Sequence, residues 1–331
     1  MELIKQTING KILCCDSIDF LNQTEDNSVD LIVTSPPFDM ISQKSYGNLQ
    51  DEEYSKWLVG FGEEFFRVLK PSGSLILDLG GGWTKGFPTK NLYEYRVLLK
   101  FCDDIGFSLA QDFFWWDPSK LPTPAQWVNI ERSRVKDAVN KIWWLSKTQN
   151  PKADNRKVLQ KYSAAMKLAL SKGTNVGKRD TGHQVSKYFH LDNGGSIPPN
   201  LIAMSNHVSV KDYYINFCKE NNLPVHPARF AKVIPEFFIR MLTDEGDLVL
   251  DPFAGSCVTG YVAENLKRKW ICCDKEKDYL LGAVGRFHED KIDPKKSKSI
   301  HKYEISSPSF ELYNNKEEEI LIKQKQFSLD V

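Results

Sequence analysis

Two prolines placed directly after a short apolar run constrain this chain more than any other feature. Val29-Asp30-Leu31-Ile32-Val33 reads as a buried strand, and Thr34-Ser35-Pro36-Pro37-Phe38 comes directly after it. Neither proline has a backbone N–H to give to a ladder, so the strand stops there. The prolines fix a stiff, extended loop at the strand's C-terminal end, where open α/β sheets bind ligands. The loop offers a serine hydroxyl, proline carbonyls without competing N–H groups, and an aromatic face. That set suits holding a flat, amine-bearing ring in one pose.

A second stretch has related grammar. Leu248-Val249-Leu250-Asp251-Pro252-Phe253-Ala254-Gly255-Ser256 is an apolar strand that ends in an acid and a tight glycine turn. A helix over about 257–266 comes next, and its N-terminal N–H groups suit a carboxylate. The next strand, Lys269-Trp270-Ile271-Cys272-Cys273, ends at Asp274. An acid about 20 residues past a glycine turn can bind a ribose diol. Asp16, at the end of the strand Lys11–Cys15, either caps the helix over 17–22 or faces a ligand. Asp78 lies on the strand 74–79, after the crossover from the Ser-Pro-Pro loop. It either orients the Ser35 hydroxyl or serves as a structural acid beside Gly80-Gly81-Gly82. Those three glycines lack a G-x-G-x-x-G spacing, so no dinucleotide site is indicated.

Helical spacing of Trp57, Leu58, Phe61, Phe65, Phe66 and Leu69 predicts a helix over 52–69, stopped by Pro71 and Gly73. Further helices are expected over 91–105, 158–171 and 235–242, the last with Pro235 at its first position. Aromatic-rich strands are expected at 108–117 and 138–146, with most of their rings in the core. From residue 151 the composition shifts. Residues 152–187 carry nine Lys or Arg (Lys152, Arg156, Lys157, Lys161, Lys167, Lys172, Lys178, Arg179, Lys187) against Asp154 and Asp180. The whole chain of 331 residues has a net charge of only +1, so this local excess reads as a DNA-contacting module set between two halves of one catalytic domain. The seven cysteines form no C-x-x-C, which fits reduced thiols in a cytoplasm and argues against a metal site. The N-terminus has no signal-like apolar core, and no run approaches the ~20 apolar residues of a membrane span.

Taken together, the S-P-P-F and D-x-F-x-G-x stretches resemble the amino-methyltransferases acting on DNA. Their order here, catalytic motif first and cofactor motif second, resembles the β group of that family. Pro118-Ser119-Lys120-Leu121-Pro122, Val135-Lys136-Asp137-Ala138-Val139-Asn140, the turn at 192–200, His226-Pro227-Ala228-Arg229-Phe230 and Pro235-Glu236-Phe237-Phe238-Ile239-Arg240 extend the likeness to PvuII-type cytosine-N4 DNA methyltransferases of restriction–modification systems. The resemblance covers about residues 10–287.

It implies an α/β, Rossmann-like S-adenosylmethionine-dependent methyltransferase fold with permuted motif order and an inserted basic target-recognition module. The catalytic half is then 1–149, the recognition module 150–205 and the cofactor half 206–287. Residues 288–331 form a polar appendage. Ser35, Pro36, Pro37 and Phe38 would hold the target amine, helped by Asp78. Asp251, Phe253, Gly255, Ser256, Asp274, Asp16 and Phe230 would surround S-adenosylmethionine, with no metal. The partner is double-stranded DNA. A cognate restriction endonuclease would act on the same DNA without touching the enzyme. One departure is Cys257, where many relatives carry glycine; its side chain would crowd the methionine end of the cofactor.

An exocyclic amine is a poor nucleophile because its lone pair is delocalised into the ring, so positioning must do most of the work. The target sits in a paired base, which must leave the duplex to be reached. Cytosine-C5 chemistry needs a cysteine nucleophile, usually after proline, and none of the seven comes after a proline. Serine at the first motif position accompanies cytosine in the family, whereas Asp or Asn accompanies adenine, so adenine-N6 methylation is the nearest alternative. Methylation of RNA or of a small amine, and a non-catalytic DNA-binding role, are the readings from other classes.

Overall fold

Strand β3 (Val29–Thr34) is buried at every position, as a strand covered on both faces must be. The computed structural model describes residues 1–37, 51–84, 86–172, 191–205 and 213–287, and places β3 at the middle of a nine-stranded sheet. The other strands are β1 (Glu2–Gln6), β2 (Gly10–Cys14), β4 (Leu69–Leu79), β5 (Ser108–Trp116), β6 (Val139–Ser146), β7 (Leu201–Ala203), β8 (Leu248–Asp251) and β9 (Lys269–Asp274). Their order is β1-β2-β9-β8-β3-β4-β6-β5-β7. The five from β2 to β4 are mutually parallel. Strand β6 runs antiparallel to both β4 and β5, and β1 closes the other edge antiparallel to β2.

Side chains alternate across this sheet into two cores. Leu31, Val33 and Ile76 face helices α6 (Val233–Leu242) and α7 (Val258–Asn265). Ile32, Leu75 and Leu77 face α1 (Ser17–Asn22), α2 (Asp51–Val68) and α3 (Tyr93–Lys100). The crossover β3–α2–β4 therefore uses one face, and β8–α7–β9 uses the other. Right-handed crossovers that leave in opposite directions must part between β8 and β3, which opens a crevice at their C-terminal ends. The chain's first and last thirds thus share one sheet, with β8 and β9 inserted between β2 and β3.

Several elements differ from the sequence expectation. The helix expected over 91–105 is α3 with a wider turn at Phe101–Ile105 after it, which ends at Gly106 with φ +100°. The helix expected over 158–171 is α4 (Ala164–Lys172), because Val158 is drawn into the core and ends a short turn capped by Asp154. Helix α6 begins at Val233, so Pro235 lies inside its first turn, where no N–H partner is lost. Strands β1 and β7, and helices α5 (Tyr213–Glu220) and α8 (Lys277–Ala283), carry no sequence signal strong enough to single them out.

The start of the basic segment is tied to the turn that leads into β8 of the central sheet. Lys152 Nζ lies 2.5 Å from Asp247 and 2.8 Å from Asp244, and Lys157 Nζ lies 2.5 Å from Asp244. Arg156 pairs with Asp154. Asp247 precedes β8, so these contacts lie at the N-terminal end of the strands, opposite the crevice. Lys178, Arg179, Lys187 and the appendage 288–331 lie outside the described residues. Among the described residues, no helix is long and apolar enough to cross a membrane.

Candidate active site

A cavity of about 450 Å³ occupies the crevice where β2, β3, β8 and β9 end. That is within the roughly 300–1,000 Å³ of small-molecule sites. Asp16, Ser35, Pro36, Pro37, Phe230, Asp251, Phe253, Gly255, Ser256 and Asp274 all line it. Phe38 lies outside the described residues. Asp78 is not on the cavity wall; it stands behind Ser35.

The Asp251–Ser256 turn is held from three directions. Asp251 is buried, and its Oδ1 accepts from Thr34 Oγ1 at 2.8 Å and from the Phe253 N–H at 3.2 Å. Its Oδ2 accepts from Thr259 Oγ1 at 2.7 Å. Burial pushes this carboxyl up to about 6 against the pull of those three donors. Asp251 therefore ties the end of β3 to the glycine turn and to α7. Gly255 sits at φ +47°, and a Cβ there would meet His226 Nε2 at 2.8 Å, so the turn demands glycine. Asp274 Oδ2 accepts from the Gly255 N–H at 2.8 Å, and its Oδ1 from the Glu276 N–H at 3.0 Å. Burial raises the Asp274 carboxyl above its usual range, opposed by these backbone donors.

Asp16 combines the two readings its position allowed. Its Oδ1 caps α1 by accepting from the Ile18 N–H at 2.8 Å, and the same residue forms part of the cavity wall. Cys257 does not reach the cavity. It is fully buried in the core on the α7 face, and its φ of +51° explains why glycine suits that position. The crowding expected from its side chain is absent.

Sequence reasoning missed much of the aromatic wall. Tyr54, Trp57 and Phe61 project from α2 into the cavity. The Trp57 and Phe61 rings lie 5.6 and 4.9 Å from the Phe253 ring. The signal is present as aromatics at helical spacing, a pattern that points to core packing. Glu276 and Tyr279, just past Asp274, also line the cavity, with Tyr279 edge-on to His226 at 4.6 Å. An acid two residues past a ligand-facing strand end is the available signal there.

Register brings Ser35 to Asp78. Val33 pairs with Ile76, so two residues further along the parallel strands Ser35 stands opposite Asp78 on the same face. Ser35 Oγ donates to Asp78 Oδ2 at 3.3 Å, and Asn140 Nδ2 donates to Oδ1 at 3.4 Å. Burial pushes the Asp78 carboxyl up to about 7, while Asn140, Ser35 and the nearby Lys120 charge pull it down.

Carboxylates at one end for hydroxyls, aromatic rings for a flat base and a backbone-lined glycine turn fit an adenosyl cofactor. A doubly wound sheet with this site at its switch point is the fold of the S-adenosylmethionine-dependent methyltransferases. Comparison with known proteins agrees. A family model described as DNA methylase matches residues 29–284. The Type II methyltransferase M.PvuII of Proteus hauseri is 45% identical over 92% of each chain. A solved PvuII DNA methyltransferase (cytosine-N4-specific) superposes with a TM-score of 0.70 at 40% identity, covering 89% of this chain and 92% of that one. The Type II methyltransferase M.HpaI of Haemophilus parainfluenzae is 25% identical over 86% of this chain and 76% of that one. The chain belongs to the DNA methylase family.

Proposed function

We propose that this protein transfers a methyl group from S-adenosylmethionine to the N4 amine of a cytosine rotated out of double-stranded DNA, at a fixed site, as the protective enzyme of a type II restriction–modification system. The observation that carries this reading is Ser35-Pro36-Pro37 at the mouth of the switch-point cavity, within a chain 45% identical to M.PvuII.

S-adenosylmethionine, when bound, supplies a methyl group on a sulfonium, an activated donor that needs no metal. Asp16 and Asp274 would accept from the ribose hydroxyls, and Phe253 and Phe230 would flank the purine. The Gly255–Ser256 backbone would receive the methionine end. Ser35 Oγ and the Pro36 carbonyl accept the two N–H bonds of the target amine. That holds its nitrogen where the lone pair can leave the ring plane and meet the methyl carbon in line. Asp78 orients the Ser35 hydroxyl. Phe38 is assigned the face of the extracted ring from its sequence position.

DNA contact falls to the part of the basic segment beyond Val158, including Lys161, Lys167 and Lys172, where phosphates set affinity. A partner endonuclease would share the DNA site and need no surface on this protein.

The test is mass spectrometry of nucleosides from plasmid DNA incubated with the protein and S-adenosylmethionine. N4-methylcytosine in one sequence context is the expected product. N6-methyladenine would overturn the choice of base, and no methylated base on varied duplexes would overturn the activity.

A further inference from the structure

The segments 118–122 and 135–140 belong to the family likeness, yet the site described so far gives them no task. Each sends one polar side chain toward Asp78. Asn140, on β6, shares the Asp78 face of the sheet, because Asp78 pairs with Ile142 two residues away. Its Nδ2 lies 3.4 Å from Asp78 Oδ1. Lys120, on the loop after β5, brings Nζ to 3.3 Å from Asn140 Oδ1. A continuous chain of hydrogen bonds therefore runs Lys120–Asn140–Asp78–Ser35.

We propose that Lys120 and Asn140 are positioning residues for methyl transfer, fixing the direction of this hydrogen-bond chain so that Ser35 donates its hydrogen bond to Asp78 and keeps its lone pairs for the substrate amine. This rests on the reading that Ser35 holds the target amine. Donor chemistry sets the direction. An ammonium has no acceptor, so Lys120 obliges Asn140 to turn its oxygen toward it. The amide NH₂ then faces Asp78 and can only donate. An ionised Asp78 accepts from Asn140 on one oxygen and from Ser35 on the other. A protonated Asp78 would carry its proton on the oxygen facing Ser35. The serine would then accept from it, lose a lone pair and turn its own hydrogen into the cavity. The chain works only while Asp78 is ionised.

Burial works against that state, and the Lys120 charge is the nearby positive group that favours it. Lys120 is itself lowered by burial, while Asp137, Asp78 and Asp117 support its charge and Lys90 opposes it. Its loop is held in place. Asp117 Oδ1 accepts from the Ser119 N–H and hydroxyl at 2.9 and 2.6 Å, and Ser205 Oγ lies 2.6 Å from Ser119 Oγ. Lys136 Nζ donates to the Lys120 carbonyl at 3.1 Å.

The experiment is the pH profile of kcat on duplex DNA for wild type, Lys120→Met, Lys120→Arg and Asn140→Leu. S-adenosylmethionine affinity and circular dichroism report folding. Loss of the charge moves the acid limb of Lys120→Met up by about one pH unit. Turnover then falls about fivefold at pH 7 and nearly recovers at pH 9. Asn140→Leu shifts the limb the same way, and Lys120→Arg restores most of the wild-type profile. KM for S-adenosylmethionine stays unchanged. An unshifted limb in Lys120→Met, or an equal loss at every pH, would overturn the proposal. The wild-type product separates the two levels. N4-methylcytosine with an unshifted limb sinks the relay alone, whereas no methylated base sinks the reading beneath it as well.

Discussion

Asp78 is held where water does not reach, with its carboxyl pushed up to about 7. An acid whose folded pKa lies above its unfolded value binds protons more tightly when folded. The stability it contributes is full below about pH 4 and is lost as pH rises through about 7. Asp78→Asn removes that loss. Urea unfolding should show the variant more stable than wild type at pH 8, by at most about 4 kcal/mol, with the gap closing toward pH 4. The same variant should lose most of its turnover; full turnover would rule out the assigned role. Ser35→Ala should lower kcat about a hundredfold while S-adenosylmethionine affinity, read by calorimetry, is kept. Both residues are legible as candidates in sequence, since an acid or a serine at the end of an apolar strand stands out. Their hydrogen bond is only one of two readings there, because it depends on the β3–β4 register across 43 positions of chain.

At the scale of elements, the glycine turn shows how backbone geometry dictates a residue. Gly255→Ala would force a side chain into φ +47°, at a cost of about 1–2 kcal/mol, and drive its Cβ against His226. The expected result is a lower Tm and S-adenosylmethionine binding weakened about tenfold, the factor that 1.4 kcal/mol makes. Unchanged affinity would separate the turn from the cofactor. The elements that read well from sequence are those with strong local signals: β3 with its prolines, α2 with its apolar spacing, and β8 and β9 with their terminal acids. Helix α4 starts later than its sequence pattern suggests because Val158 fits a helical repeat locally, yet the core between β6 and α6 takes it out of any helix. The cavity-facing side of α2 escapes sequence reasoning because an aromatic stripe has the same pattern whether it packs on a sheet or lines a cavity.

For the whole molecule, the pairing of the first lysines of the basic segment is the clearest consequence of tertiary packing. Lys152 and Lys157 are paired with acids at the end of the sheet away from the cavity. Removing both by Lys152→Ala and Lys157→Ala should leave the salt dependence of DNA binding unchanged and cost about 1 kcal/mol or less in unfolding free energy, since the pairs are partly exposed. Lys167→Ala with Lys172→Ala, on the exposed helix α4, should lower the slope of log affinity against log salt by about two. Fluorescence anisotropy over a salt series reads both; a slope unchanged in the second pair would move the DNA surface elsewhere. In sequence these lysines belong to one charge run, and nothing local distinguishes them. Local chemistry, readable along the chain, dictates where strands stop at Pro36 and Pro37, where Gly255 must turn, and which residue types stand at strand ends. Which of those ends meet is a matter of packing between distant segments. Burying both faces of β3 set the strand order and register, and these in turn placed Asp78 behind Ser35, Asn140 and Lys120 behind Asp78, and Trp57 and Phe61 against Phe253.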